Sequence, residues 1–217
     1  MKRSTIVLKM LSLNDIGQPL KLSSRPTAQG LVAVKSTGSV AAVTQLNCET
    51  DFVARGDNFK DLLEKLTESA LDCAKKNVPK KLSDKILAVD LGRPLSEIVA
   101  MTVGKLGENL SVRNIITLYA PEGATLYSAA HPRGGSDDVN MGKYVSVVAL
   151  RRPETKGLFP TEKLAEQLCH TINVDEDETA LLRQTFMLNP SQTVYEYVRD
   201  HQAEIVDFFR SELGGCE

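Results

Sequence analysis

The sequence predicts an α+β fold of two subdomains, each a small antiparallel sheet (a hairpin plus a returning strand) packed with helices. Three observations lead to this prediction. Runs of β-branched residues alternate with segments whose apolar residues recur at helical spacing. The order hairpin, helices, strand occurs twice along the 217 residues. No residue-level repeat accompanies this order, so the repetition is one of architecture.

The sheet of the first subdomain, assigned to residues 22–120, is predicted from a hairpin and one later strand. Two β-branched runs, 31–35 and 40–48, flank a turn that contains Gly38, which is typical of a β-hairpin. Apolar residues alternate again over 110–119, which indicates the returning strand.

Two helices are predicted between the hairpin and that strand. Thr50 or Asp51 is suited to cap the first helix, whose apolar spacing continues to about 77–79. Pro94 opens the second helix because proline is favoured in a first turn. This helix stops at Gly107, a typical C-terminal cap.

The second subdomain, assigned to residues 121–217, repeats the plan. Two strands are joined by a long polar loop, three helices follow, and a strand ends the chain. The predicted bounds are strands 124–130 and 143–151, helices 160–172, 178–186 and 193–201, and strand 205–213.

The N-terminal segment, residues 1–21, is basic at its start and has no acid before Asp15. A basic, serine-containing, acid-free start is typical of an organelle transit peptide. A disordered or otherwise unremarkable N-terminus fits the composition equally well. Residues 15–30 are rich in Pro, Gly and Ser and are expected to form a linker or an extended arm.

Composition and motifs argue against several functional classes. A net charge of −2 lacks the basic excess of a general nucleic-acid binder. No apolar stretch reaches the roughly 18 residues that span a bilayer. Phosphate-loop, dinucleotide-binding and metalloprotease motifs are absent from the sequence, so no cofactor, metal site or catalytic residue is expected. The cysteines are dispersed and lack the spacing of a zinc site: Cys48, Cys73, Cys169 and Cys216.

The strongest local anomaly is N-C-E-T-D-F-V-A-R at 47–55, at the predicted strand-to-helix junction. This stretch resembles the signature of the elongation factor Ts family, the guanine-nucleotide exchange factors of elongation factor Tu. V-G-K-L-G-E-N at 103–109 resembles the family's second signature. L-Y-S-A-A-H at 126–131 resembles the hairpin of its second core subdomain, and 188–194 and 206–210 resemble its C-terminal portion.

The resemblance implies a protein that binds elongation factor Tu and promotes GDP release, without a cofactor and without contact to nucleic acid or membrane. Family members begin with a three-helix domain similar to ubiquitin-associated domains, and this domain is not recognisable in residues 1–21. The second subdomain also lacks the long helical hairpin that many bacterial members have inserted there. This absence, together with the basic start, is similar to the mitochondrial branch and implies the mitochondrial matrix. A binding-only partner with weak exchange is the alternative. An enzyme that uses Cys169 or a histidine is a third possibility, although no base–nucleophile spacing favours it.

The same resemblance implies which residues touch the partner. In the family, the phenylalanine that matches Phe52 is inserted between helices of the GTPase domain, where it disturbs magnesium and phosphate contacts. From the residues alone, a core position is favoured for Phe52 and a simple N-cap for Asp51, and Gly107 is also suited to a helix C-cap. The predicted partner-binding residues are Thr50, Asp51, Phe52, Val53, Leu106, Gly107 and His131.

Overall fold

The computed structural model describes residues 7–12, 24–78, 89–90, 93–153, 159–172 and 180–214. In this part of the chain the strands are β1 Val7–Ser12, β2 Gln29–Thr37, β3 Val40–Cys48, β4 Val89–Asp90, β5 Leu110–Tyr119, β6 Thr125–His131, β7 Gly134–Gly135, β8 Asn140–Gly142, β9 Tyr144–Arg151, β10 Thr185–Phe186, β11 Asn189–Thr193 and β12 Glu204–Glu212. The helices are α1 Asp51–Arg55, α2 Asp57–Lys76, α3 Arg93–Leu106, α4 Thr161–Thr171 and α5 Val194–Asp200, with a 3₁₀ turn at Leu181–Arg183.

Two sheets organise these elements. The first has the strand order β4-β1-β5-β3-β2-β8-β7 and the second the order β12-β9-β6. Each contains the predicted antiparallel hairpin, β2–β3 or β6–β9, and the predicted returning strand, β5 or β12. The prediction of an α+β fold built from small antiparallel sheets and packed helices is therefore confirmed.

Alternate side chains along the central strands point to opposite faces of the sheet and pack into two different cores. On β2, Ala33 faces the core shared with α1, α2 and α3, whereas Val32 and Val34 face the second sheet. On β3, Leu46 faces the helices and Val43 faces the second sheet. Strand β3 is therefore buried at every position, and its run of apolar residues reflects burial on both faces.

The second sheet repeats this division. Val145 and Val147 of β9 pack against the first sheet, while Val148 and Leu150 pack against α4 and α5. The layers thus run helices, sheet, sheet, helices. The sequence predicts two subdomains with a boundary after residue 120, but it does not predict that their sheets share an interior.

The helix predicted to follow Thr50 is divided in the structure. Gly56 adopts an extended conformation between α1 and α2, with its backbone N–H bonded to the Val53 carbonyl at 3.0 Å. The long helix α2 is capped by Asn77, as expected. It carries Lys75 and Lys76 in its last turn, where positive charges interact favourably with the helix dipole.

The prediction of a helix over 178–186 is wrong for the residues that the structure describes. Leu181–Arg183 form a single 3₁₀ turn, and Thr185–Phe186 form strand β10. Leu181 and Phe186 are both buried. Five residues along an α-helix rotate a side chain by about 140°, so a helix would turn one of the two away from the core.

Several further strands were not predicted. The segment that was expected to be a long loop between β6 and β9 contains β7 and β8, and β8 pairs with β2 of the first sheet. Val7–Ser12 form β1, which pairs antiparallel with β5. The expectation of disorder over 1–21 does not hold for these six residues, and the rest of that segment lies outside the described residues.

Candidate functional site

Phe52 projects into solvent from the short helix α1. Its side chain is 86% exposed, whereas the next two residues, Val53 and Ala54, are buried in the core beneath α1. The interpretation of Phe52 as a core residue is therefore wrong. Leaving a large apolar side chain in water forgoes about 1.5–3 kcal/mol of the free energy that its burial would contribute.

Hydrogen bonds join the two signature motifs where α1 begins. The hydroxyl of Thr50 accepts from the Val53 N–H at 3.3 Å, which identifies Thr50 and not Asp51 as the N-cap. The same hydroxyl donates to Oε1 of Glu108 at 2.7 Å, and the Thr50 N–H donates to Oε2 at 3.1 Å. In the other direction, the Asn109 N–H donates to Glu49 at 2.7 Å. The start of α1 is thus fixed to the segment that follows α3.

We expect Glu108→Ala to lower the free energy of unfolding by about 1 kcal/mol, because it removes two hydrogen bonds that fix the capped end of α1. Equilibrium unfolding in urea measures this change. Glu122→Ala is the matched control, since Glu122 is exposed and its carboxylate makes no hydrogen bond or ion pair within the described residues, and it should leave stability within about 0.5 kcal/mol. Equal stability of the two variants would contradict a bracing role for Glu108.

Leu106 and Gly107 lie at the end of α3, directly before this junction. Gly107 has a φ of 70°, and its N–H donates to the Val103 carbonyl at 2.9 Å. This left-handed conformation ends the helix and favours glycine, so the expected C-cap role is present. Leu106 is half-buried against the core, whereas Gly107 is exposed.

Asp51 is held by two cations. Lys143 donates from Nζ to Oδ1 of Asp51 at 3.1 Å and to the carbonyl of Gly30 at 3.2 Å, and Arg55 pairs with Oδ2 one helical turn later. A Cβ at Gly30 would lie 2.2 Å from the Leu46 carbonyl oxygen, so only glycine lets β2 approach β3 here. Lys143 thus connects α1 to the start of β9, and it links the two sheets.

The hydrogen bond from Lys143 has the largest effect and lowers the pKa of Asp51 below its ordinary value. Burial opposes this with a smaller effect, and the hydrogen bond from Arg55 lowers the pKa further. The pKa of a carboxyl is lowered when its charged form is stabilised. The contribution of Asp51 to stability is therefore present above its unfolded pKa and is lost as the pH falls through the lowered folded pKa.

We expect Lys143→Met to raise the pKa of Asp51 towards the ordinary value of about 3.9, while Arg55 continues to lower it. A carbon-detected NMR titration of the Asp51 carboxyl measures this directly. Lys163→Met, which removes an exposed lysine from α4, is the control and should leave the pKa of Asp51 unchanged. An identical titration curve in wild type and Lys143→Met would rule out the contact.

The two remaining predicted residues occupy different settings. Val53 is only 8% exposed, so its described contacts are with the core. His131 is exposed at the end of β6, where its ring stacks on Tyr144 with centroids 5.2 Å apart. The carbonyl of His131 accepts from the Lys143 N–H at 2.8 Å, so His131 is joined to the residue that holds Asp51.

Sequence reasoning missed Lys143, Glu108 and Arg55 as parts of this arrangement. Glu108 lies in the V-G-K-L-G-E-N motif and Arg55 ends the N-C-E-T-D-F-V-A-R motif, but neither residue was predicted to have a role in the site. Lys143 had no local signal, because its partner Asp51 is 92 positions away.

Cys169, the cysteine named in the enzymatic alternative, is buried, with 1% of its surface exposed. Burial raises the pKa of the Cys169 thiol to about 12, so the reactive thiolate is not formed at neutral pH. No group of three or more His, Cys, Asp or Glu residues is placed to hold a metal within the described ranges. In the same ranges, no helix is long and apolar enough to cross a membrane.

A cleft of about 460 Å³ lies between β2, β6 and α4, and none of the predicted site residues lines it. Its two cations pair with carboxylates: Lys35 with Glu68 at 2.8 Å and Arg133 with Glu166 at 3.4 Å. It is larger than the hollow of about 250 Å³ beside α1. The half-buried Asp51 lines the hollow beside α1, and the exposed Phe52 follows Asp51 in the chain.

Comparison with known proteins identifies what this chain is similar to. The family model described as Elongation factor TS matches residues 49–175, which is 127 of the 217 residues. "Elongation factor Ts, mitochondrial" of Caenorhabditis elegans is 40% identical, over 89% of this chain and 75% of that protein. The protein of the same name from Brugia malayi is 38% identical, over 89% and 72%. The one from Mus musculus is 27% identical, over 91% and 69%.

Proposed function

The chain belongs to the elongation factor Ts family, and on this premise we propose that it is a guanine-nucleotide exchange factor that binds elongation factor Tu and promotes GDP release. The observation that carries the proposal is the 86% exposed Phe52 on a helix whose start and neighbouring residues are fixed. Its placement fits a rigid apolar anchor that enters a partner.

An exchange factor needs no reactive side chain. It must bind the nucleotide-free GTPase more tightly than the GDP-bound form. The exchange factor and GDP then weaken each other's binding to the GTPase by the same ratio. Each tenfold weakening of GDP binding requires about 1.4 kcal/mol of differential binding. A rigid anchor suits this task because its contacts are made without first ordering a flexible segment.

The bracing around α1 supports this mechanism. Glu108 fixes its N-terminal cap, Lys143 fixes Asp51, and Val53 packs into the core below. Force from an inserted Phe52 would therefore be transmitted to the sheets instead of bending the helix. By family resemblance, Asp51, Leu106, Gly107 and His131 contact the same partner around this anchor.

The test is release of fluorescent GDP from elongation factor Tu after addition of this protein at catalytic amounts. Acceleration with turnover supports exchange. Formation of a stoichiometric complex without turnover would instead support the binding-only alternative. No complex and no acceleration would refute both.

We propose the mitochondrial matrix as the location, since the matched relatives are named mitochondrial and the sequence has a basic start without acids. A reporter fused to residues 1–30 should enter mitochondria and become protected from added protease. A cytosolic reporter signal would contradict targeting by this segment.

A further inference from the structure

The hollow beside α1 has an apolar floor. It encloses about 250 Å³ between α1 and the segment that joins β6 to β9. Leu31, Ala54, Pro132 and Met141 contribute apolar surface to its lining, and Met141 and Ala54 are themselves buried. Small-molecule sites usually enclose at least about 300 Å³, so this volume suits a protein side chain better than a cofactor.

The charged groups around this floor are mostly cationic. Arg55, Lys60 and Lys143 line the hollow with a single carboxylate, Asp51, which leaves an excess of two positive charges (three minus one). Asp51 is already shared between Lys143 and Arg55.

Lys60 makes no ion pair with any carboxylate in the described part of the chain. Glu64, about one turn further along α2, accepts instead from the Ser136 hydroxyl at 2.7 Å. Lys60 is half-buried and lines the hollow on the α2 side. An ammonium group in this position is available to a carboxylate that arrives from outside.

We infer that the hollow receives an acidic side chain, glutamate or aspartate, of the GTPase that docks on Phe52. Its methylene groups would pack on Leu31 and Met141, and its carboxylate would meet Lys60 and Arg55. The inference rests on the proposed function, because it names a second contact of the same docking event. Phe52 supplies the apolar anchor, and the hollow beside α1 supplies charge complementarity and fixes the orientation of the partner.

Such a contact has a kinetic signature. Complementary charges at the edge of an interface mainly raise the association rate, and salt weakens their effect. Reversing the charge of Lys60 places like charges together, which should slow association and reduce its dependence on salt.

The experiment compares Lys60→Glu with Lys65→Glu. Both residues lie on α2 and both variants change the net charge by the same amount, but Lys65 is exposed and does not line the hollow. Association with GDP-bound elongation factor Tu is followed by stopped flow at several salt concentrations. We expect Lys60→Glu to slow association by about tenfold and Lys65→Glu by less than about twofold. Equal slowing by the two variants would overturn the inference.

Two further measurements keep the result interpretable if Lys60→Glu folds poorly. In the wild-type complex, Lys60 but not Lys65 should be protected from reductive methylation, and equal reactivity would contradict docking at the hollow. Acid-to-lysine substitutions across the partner should include one that restores association with Lys60→Glu, and failure of all of them would also count against it. Wild-type protein that does not accelerate GDP release would refute the proposed function, irrespective of Lys60.

Discussion

Phe52→Ala is expected to lower the rate of GDP release from elongation factor Tu by about tenfold to a hundredfold while leaving the fold intact. This corresponds to a loss of about 1.4–2.8 kcal/mol of differential binding, within the range of an aromatic interface anchor. The side chain is 86% exposed, so removing it deletes no core contact. Stopped-flow release of fluorescent GDP gives the rate, and circular dichroism confirms the fold.

The chain offers a close control in Tyr195. Like Phe52, Tyr195 is the second residue of a short helix that begins after a threonine N-cap, and it is 55% exposed. Tyr195→Ala removes an exposed aromatic ring from the same local setting on α5. It should change GDP release much less than Phe52→Ala does. If the two variants are equally active, or equally impaired, Phe52 is not a specific anchor.

Local patterns in the sequence were sufficient to predict most elements. The β2–β3 hairpin was predicted from β-branched runs around Gly38, and α3 from Pro94 and Gly107. These signals act between near neighbours in the chain. The helix predicted over 178–186 failed because burial of Leu181 and Phe186 overrides the local preference.

Long-range packing was not predictable in the same way. Strand β8 pairs with β2 although β8 lies in a polar loop, and its sequence Asn140–Gly142 has no strand pattern. The shared core between the sheets depends on which face of each strand is turned inwards, and both faces of β3 are apolar. Periodicity alone cannot assign a face when both are buried.

In the candidate site, too, local features were predictable and long-range contacts were not. Phe52 and Thr50 lie within one motif and were predicted, Phe52 from the resemblance and the N-cap, as either Thr50 or Asp51, from the residues themselves. Their supports were not, because Thr50 and Glu108 are 58 positions apart. A single sequence carries no signal that pairs such distant polar residues.

Phe59→Ala is expected to lower the stability of the fold, whereas Phe52→Ala is expected to lower the rate of GDP release. Phe59 is fully buried, in the same core as Val53 and Ala54. Truncating a buried phenylalanine to alanine costs about 3–5 kcal/mol, since it removes apolar contacts and leaves a cavity. In a chain of this size each kcal/mol lowers the melting temperature by about 2–4 °C, so a decrease on the order of 10 °C is expected.

The pair of variants separates stability from function within seven residues of sequence. Phe59→Leu, which retains much of the volume, should recover a large part of the lost stability. Well below its lowered melting temperature, Phe59→Ala should still promote GDP release from elongation factor Tu at a rate near that of wild type, because the buried Phe59 side chain is not accessible to a partner. Thermal denaturation and the GDP-release assay on the same preparation measure both quantities. A stable but inactive Phe59→Ala would mean that the packing beneath α1 sets the orientation of Phe52, so that anchor and core could not be treated as independent.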